Sequence, residues 1–373
     1  MKILLLLLLL IPFNVSALET SAKSSILVEY STGTIISEEN SNEALPMASM
    51  TKMMTLLLIM ERIETGKVSL TDMVPISENA ASMGGSQAYL EANTKMELDV
   101  LLKAVCIASA NDAAVALAEY IAGSEDEFVR LMNEKVKELK LKNTVFKNVH
   151  GLDADGHVSS AYDMAMIARE LLSHELILKY SSIYEDYIKH PNGVSTWIVN
   201  TNKLINFYEG LDGLKTGYTV KSGFCITATA KRNGMRLISV VMGEESNKIR
   251  NQDTMELLNY GFSNYKLETI VDDSTKLGNI NIKFGDKESV KLKLVDNATD
   301  LVNVLEENSY SYTVEKMDVD APVKVGDVVG KLHIYANDLK IDSVDLTVSE
   351  DVKKANIFIL YRRNLNRLLK GYY

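Results

Sequence analysis

Phe224–Met242, FCITATAKRNGMRLISVVM, is the stretch whose reading decides the fold. Two β-rich runs, Phe224–Lys231 and Met235–Met242, flank Asn233-Gly234, and this dipeptide is the strongest short signal for a tight hairpin. Gly213–Thr219 reads as a strand just upstream. Far away in sequence, Ile26–Tyr30 and Thr34–Ser37 form a second hairpin pattern around Ser31-Thr32-Gly33. Between these ends helical patterns dominate, from Glu97 to about Ile188. Leu98–Ala108 and alanine-rich Ala113–Ala122 read as helices, the latter closing at Gly123. Glu125–Leu139 places Phe128, Leu131, Met132 and Val136 at helical spacing. Before them, the apolar run Met47–Ile63 follows Pro46 and stops near Gly66, as a buried helix would. Strands from both ends of one segment thus bracket a helical middle. An antiparallel sheet with helices packed on its faces accommodates that order, an α+β core.

The two ends of the chain differ from this core. Lys2, the apolar run Ile3–Ile11, Pro12 and the small residues Val15-Ser16-Ala17 read as a secretory leader cleaved after Ala17. The run is too short for a membrane span, which takes roughly 20 apolar residues. From about Leu267, short alternating stretches such as Val290–Val295 and Lys331–Tyr335 read as a small all-β domain reaching about Val348. In the final segment Ile357, Leu360, Tyr361, Leu365, Leu368, Leu369 and Tyr372 share one helical face. Arg362, Arg363, Arg367 and Lys370 take the other, with Lys353 and Lys354 just upstream. A basic amphipathic helix reads as a membrane-surface element. Each cation near an anionic leaflet contributes about 1 kcal/mol.

The formal charge of −10 argues against nucleic acid as a partner. Cys106 and Cys225 are the only cysteines and sit in no CxxC or metal-spaced pair. They form one disulfide or none, and both read as buried thiols.

Three short pieces carry chemistry. Ser49 and Lys52, three residues apart on a helix, share a face. Lysine is a poor base at its free pKa of about 10.4, but burial and nearby positive charge lower it. A neutral Lys52 amine can then take the proton from Ser49. Ser49 is expected in the first turn of the buried helix, where the dipole favours negative charge on its oxygen. Ser109-Ala110-Asn111 interrupts two helical runs, so it reads as a tight connection bearing a relay hydroxyl and an amide. Its plainer reading is N-capping of the second helix by Asn111 or Asp112. In Lys215-Thr216-Gly217, glycine lets a substrate backbone approach the strand. Lys215 and Thr216 suit a terminal carboxylate. The plainer reading is a solvent-facing strand lysine. Each piece is weak alone, and Ser263-Asn264-Tyr265-Lys266 and Ser77-Glu78-Asn79 are decoys for the first two.

The three pieces together, in this order and in these elements, resemble the low-molecular-mass penicillin-binding proteins that act as D-alanyl-D-alanine carboxypeptidases. Three further stretches carry the same resemblance: Gly210–Leu214 leading into Lys215, His150–Gly156 with Ser159-Ser160-Ala161, and Met235–Gly243. The resemblance implies a five-stranded antiparallel sheet flanked by helices, a small C-terminal all-β domain and a terminal amphipathic helix. The layout it implies is a leader at 1–17, a penicillin-binding serine peptidase domain at 18–264, a β-rich domain at 265–350 and a membrane-associating tail at 351–373. It implies Ser49 as acyl-ester nucleophile, Lys52 as general base and Ser109 as proton relay. Asn111, Lys215, Thr216 and Gly217 would bind substrate, and the backbone N–H groups of Ser49 and Tyr218 would form an oxyanion hole. Where the family often carries His or Thr after the KTG, this chain has Tyr218; a backbone donor survives that change. The substrate would be the peptidoglycan stem peptide, with β-lactams as covalent inhibitors and no cofactor or metal. The protein would be exported, either peripheral on the outer face of the cytoplasmic membrane or secreted to the cell wall.

Three rivals stand beside this reading. A β-lactamase-like hydrolase or a wall endopeptidase would use the same fold, although no convincing deacylating Glu motif lies between Asn111 and Lys215. A metallopeptidase would use His150, Asp153, Asp155 and His157, but HExxH is missing and these residues surround glycine turns. A non-catalytic wall-binding protein would have lost the nucleophile, yet Ser49, Lys52, Ser109 and Lys215 are intact.

Overall fold

The computed structural model describes residues 20–306 and 308–369. The leader expected at 1–17 lies outside the described residues, as do Lys370 and Tyr372 of the tail. The chain divides into two units, with the boundary between Ser263 and Asn264.

The first unit runs β1 (Ser24–Glu29), β2 (Ile35–Glu39), α1 (Lys52–Glu64), β3 (Met73–Pro75), α2 (Glu78–Ala81), β4 (Lys95–Glu97), α3 (Leu98–Ile107), α4 (Asn111–Ala122) and α5 (Glu125–Glu138). It continues α6 (Ala161–Ser173), α7 (Leu176–Ser181), β5 (Glu185–Lys189), β6 (Ser195–Val199), β7 (Leu211–Thr219), β8 (Gly223–Arg232) and β9 (Met235–Glu244), and α8 (Asn247–Asn264) closes it. Its main sheet has five strands in the order β2-β1-β9-β8-β7, all antiparallel. The β8–β9 hairpin turns at Asn233 (φ 48°) and Gly234 (φ 85°), the two left-handed positions of a type I′ turn. Ile26 pairs with Val240, which joins the two sequence-distant hairpins into one sheet. β7 is the outer strand, so one of its edges meets no other strand of the sheet.

Two expectations change here. The helical middle ends earlier than expected, because the segment from Glu185 pairs with Ser195–Val199 as a two-stranded ribbon. The nucleophile helix also begins later. Ala48–Thr51 is a 3₁₀ turn, and α1 starts only at Lys52. Ala48, at φ 47°, lies in the left-handed region, which an α-helix cannot include. Every residue of α1 from Lys52 to Met60 is buried, consistent with a run that is apolar on nearly all sides. It shares one hydrophobic core with Ile26, Val28, Phe128, Met164, Ile238 and Val240.

The second unit contains β10 (Tyr265–Val271), β11 (Asn279–Lys283), β12 (Ser289–Leu294), β13 (Ala298–Asn303), β14 (Tyr310–Lys316), β15 (Val319–Asp320), β16 (Gly330–Ala336) and β17 (Leu339–Val348), followed by α9 (Ile357–Leu369). Six of these strands form one sheet in the order β14-β16-β17-β12-β11-β15. On β12, Val290, Leu292 and Leu294 are buried while the residues between them are exposed, the alternation of a half-buried strand. On α9, Ile357, Phe358, Tyr361 and Leu369 are largely exposed. Arg363 does not belong to the free cationic face expected of it. It donates to Gly285 O at 2.6 Å and Asp286 O at 2.7 Å, because the backbone there offers two carbonyls to its planar fork.

Both cysteines are buried and free. Burial raises the Cys106 thiol to about 12 and the Cys225 thiol to about 11, so neither is nucleophilic at neutral pH.

Candidate active site

Thr51 sets the 3₁₀ turn that carries Ser49. Its Oγ1 donates to Ala48 O at 2.8 Å and lies 2.7 Å from His157 Nε2. His157 Nδ1 accepts the Lys147 N–H at 2.9 Å, so Nε2 carries the proton and donates to Thr51. Burial holds the His157 imidazole down at about 4, which keeps it neutral. A fixed chain of donors therefore runs from Lys147 through His157 and Thr51 to the carbonyl preceding the nucleophile.

The segment after His150 completes the turn. Gly151 has φ +93°, and a Cβ placed there would fall 2.0 Å from Ala48 O and 2.8 Å from Ser49 N. Only glycine fits this backbone-to-backbone approach. From β7, a Cβ on Gly217 would fall 2.8 Å from Met47 O and 3.0 Å from Ser49 N. Two glycines thus lie close against the backbone at Ser49.

Lys52, the first residue of α1, is fully buried. Its Nζ lies 3.0 Å from Ser49 Oγ, 2.6 Å from Asn111 Oδ1 and 2.5 Å from His150 O. Burial depresses its pKa well below 10.5, the Lys215 charge lowers it further, and Asp112 opposes them. The three neighbours suit a neutral amine: two N–H groups donate to Asn111 and His150, and the lone pair faces the Ser49 hydroxyl.

Ser109 sits between α3 and α4 with φ 60°. It is 3% exposed, and its Oγ has no hydrogen-bond partner among the described residues. Neither Asn111 nor Asp112 caps α4, whose N-cap is Ala110. Asn111 Nδ2 donates to Gly84 O at 2.7 Å, leaving Oδ1 for Lys52. Asp112 accepts the N–H groups of Ala88 and Leu90. The decoy Ser77 is the plain cap, accepting Ala80 N–H at 2.9 Å at the start of α2. The other decoy, Ser263, is in the last turn of α8.

Lys215 and Thr216 are 1% and 7% exposed, which removes the solvent-facing reading of this strand lysine. Burial, with the Arg250 charge adding to it, brings Lys215 down to about 7. Arg250 is 5% exposed and was not anticipated from sequence. Its guanidinium bonds Asn251 Oδ1, and a lone arginine in a polar helix carries no signal of such burial. Thr216 Oγ1 donates to Thr201 Oγ1 at 2.8 Å. Tyr218 projects outward, 55% exposed, with its ring stacked on Phe224 at 4.3 Å between centroids.

The structure therefore brings Ser49, Lys52 and Asn111 into direct contact and puts Gly217 against the Ser49 peptide. Lys215 acts on Lys52 through charge. No bond links Ser109 to any of them among the described residues. The His150–His157 stretch supports the nucleophile rather than holding a metal. The His157 lone pair is taken by Lys147 N–H, and His150 Nδ1 accepts Leu152 N–H at 3.2 Å.

Residues 11–246 match the family model described as D-alanyl-D-alanine carboxypeptidase, and residues 265–354 match the C-terminal domain of penicillin-binding protein 5. The chain is 43% identical to the D-alanyl-D-alanine carboxypeptidase DacF of Bacillus subtilis over 352 residues, 94% of this chain and 90% of that one. Penicillin-binding protein 5 of Haemophilus influenzae has a similar structure, with a TM-score of 0.74 and 33% identity over 90% of this chain and 98% of that one. Penicillin-binding protein D2 of Listeria monocytogenes, solved in an ampicillin-bound form, matches with a TM-score of 0.59 and 30% identity over 66% of this chain and 99% of that one.

Proposed function

Because the chain belongs to the D-alanyl-D-alanine carboxypeptidase family, we propose that Ser49 is its acylated nucleophile, with Lys52 as base and Ser109 as proton relay. The protein is a serine-type carboxypeptidase that removes the terminal D-alanine of peptidoglycan stem peptides and is sensitive to β-lactams. The observation that carries the assignment is the 3.0 Å separation of Ser49 Oγ from a buried Lys52 amine whose N–H groups are already engaged.

The steps follow from these positions. Lys52 takes the Ser49 proton as Oγ attacks the carbonyl of the penultimate D-alanine. Negative charge develops on the carbonyl oxygen, where the backbone N–H groups of Ser49 and Tyr218 stabilise it. The proton taken by Lys52 is relayed by the Ser109 hydroxyl, otherwise unengaged, to the leaving amine, so that Lys52 returns to its neutral form and Ser109 keeps a proton. The C–N bond breaks, D-alanine departs and an ester on Ser49 remains. Water then attacks that ester with Lys52 again as base. Asn111 aligns the substrate amide, and Lys215 with Thr216 binds the terminal carboxylate along the open edge of β7. A β-lactam acylates the same Ser49, as the ampicillin-bound relative would lead one to expect.

A pH profile tests the carboxylate role. Lys215, lowered to about 7, is an ammonium below that pH and loses its charge above it. For a peptide ending in a carboxylate, kcat/KM is expected to fall as pH rises past 7, approaching about tenfold per unit. An analogue with that carboxylate esterified should lack the alkaline fall. Identical alkaline limbs for the two substrates would remove Lys215 from carboxylate binding.

The tail is proposed as a peripheral membrane anchor on an exported protein. Exposed Ile357, Phe358, Tyr361 and Leu369 supply the apolar face, and Arg362 and the upstream lysines remain as cations. No helix among the described residues is long and apolar enough to cross a membrane. Truncation after Asn356 should release the protein from anionic vesicles in a flotation assay while D-alanine release in solution stays within twofold. Unchanged flotation would refute the anchor.

A further inference from the structure

The end of α1 remote from Ser49 carries a second cluster. Glu61 and Glu64 lie in the last turn of α1, and Glu170 and His174 lie one turn apart at the end of α6. One ligand atom each from Glu61, Glu170 and His174 lie within 4.8 Å of one another. His174 is 7% exposed, and neither of its ring nitrogens makes a hydrogen bond among the described residues. Glu64 Oε2 is 2.9 Å from His174 Nδ1 but off the direction of a hydrogen bond. A buried imidazole without a partner is costly, so the cluster needs an occupant that uses its lone pair.

The charge balance points the same way. Lys135 Nζ, from α5, pairs with Glu61 Oε1 at 2.7 Å and divides its charge with Glu138, also at 2.7 Å. Neither Glu170 nor Glu64 meets a lysine or arginine among the described residues. Lys140 and Arg169 line the adjoining cleft of about 600 Å³ that Glu170 borders, yet neither pairs with it. The negative ends of α1 and α6 both converge here. One shared ammonium faces several carboxylates and two helix C-termini.

We propose that Glu61, Glu170 and His174 bind a divalent transition metal of the Zn²⁺ class, with Glu64 or water as fourth ligand. One imidazole nitrogen and carboxylate oxygens suit Zn²⁺, with bonds of about 2.0–2.2 Å. Rotation of the partly exposed glutamates closes the ligands from their present spacing. Lys52 and Glu61 are nine positions apart on α1, about 14 Å along the axis, so the metal stands away from the chemistry. Its role is structural: it clamps the end of the nucleophile helix to α6. This revises the metal-free expectation from sequence, where Glu61 lies more than a hundred residues from its partners.

The test uses the full chain stripped with chelator and titrated with Zn²⁺ by calorimetry, with thermal unfolding measured in parallel. The expected result is one Zn²⁺ per chain, a raised unfolding midpoint, and at least tenfold weaker binding in both E170Q and H174A. D-alanine release, which this site does not touch, reports that each variant is folded. If H174A does not fold, E170Q and X-ray absorption of the Zn²⁺-loaded wild type decide the matter. A shell of oxygens with a single imidazole supports the site. Absence of binding, a shell without imidazole, or equal affinity in wild type and E170Q overturns it.

Discussion

Ser49→Ala is expected to abolish covalent labelling by penicillin and to lower D-alanine release from a pentapeptide by at least about 10³-fold. The Ser49 hydroxyl is the one group at the site positioned to become an ester oxygen, 3.0 Å from the Lys52 amine. Its removal leaves Lys52 bonded to Asn111 and His150, so no buried group is orphaned. The fold should therefore survive, with the thermal midpoint shifted by no more than a few degrees, a change of about 1 kcal/mol. The three outcomes separate clearly. Loss of labelling and release with an intact midpoint supports the mechanism. Release at the wild-type rate refutes it. Loss of labelling with release retained would mean that penicillin and peptide are attacked by different groups. The free D-alanine assay also separates carboxypeptidase from endopeptidase activity, since only the former frees the amino acid.

Gly151→Ala is expected to be nearly as damaging to acylation, although residue 151 touches no substrate. The new Cβ would sit 2.0 Å from Ala48 O and 2.8 Å from Ser49 N, and both contacts are with backbone. No side-chain rotation relieves them, so the 3₁₀ turn must move. A displacement of about 1 Å at a nucleophile costs on the order of 10²-fold in rate. The left-handed φ of +93° adds strain of about 1 kcal/mol or more. Gly66→Ala is the control. Gly66 also has a left-handed φ, of +66°, but nothing lies within 4 Å of its Cβ position. It should lose stability by about 1 kcal/mol and keep its acylation rate. Penicillin acylation rates and thermal midpoints of the two variants decide the case. Equal acylation rates would show that Gly151 is not what holds the Ser49 turn.

The relation between sequence and structure is uneven, and particular residues explain why. The β8–β9 hairpin was legible because Asn233-Gly234 is a local code: its two left-handed residues match the strand twist. The helices α3, α4 and α5 were legible through periodicity and through the C-terminal Gly123. The apolar run predicts a helix of the nucleophile starting at Met47, whereas Ala48–Thr51 form a 3₁₀ turn. That break is set at Ala48, a residue type that gives no warning of a left-handed φ. Ser77 and Ser109 head similar tripeptides, yet one caps a helix and the other is buried with its hydroxyl unbonded among the described residues. His157 and Gly151 act through contacts with residues more than a hundred positions away, and Arg250 through its charge on Lys215 of a different element, which local patterns do not encode.

By itself, then, the sequence determined the α+β class, the hairpins, the all-β character of the C-terminal region, and the ordered set Ser49–Lys52, Ser109–Asn111 and Lys215–Gly217. These follow from short-range rules of turn conformation, side-chain periodicity and motif spacing. The tertiary structure alone decided that the Lys52 amine is buried against Ser49 and depressed in pKa, and that two glycines lie close against the nucleophile's backbone. It alone placed His174 without a partner among carboxylates. Desolvation, the field of a second buried cation and the closeness of two backbones all arise when distant segments are packed together. A proton acceptor and a proton-bound lysine have the same letter in the chain, and only the packing tells them apart.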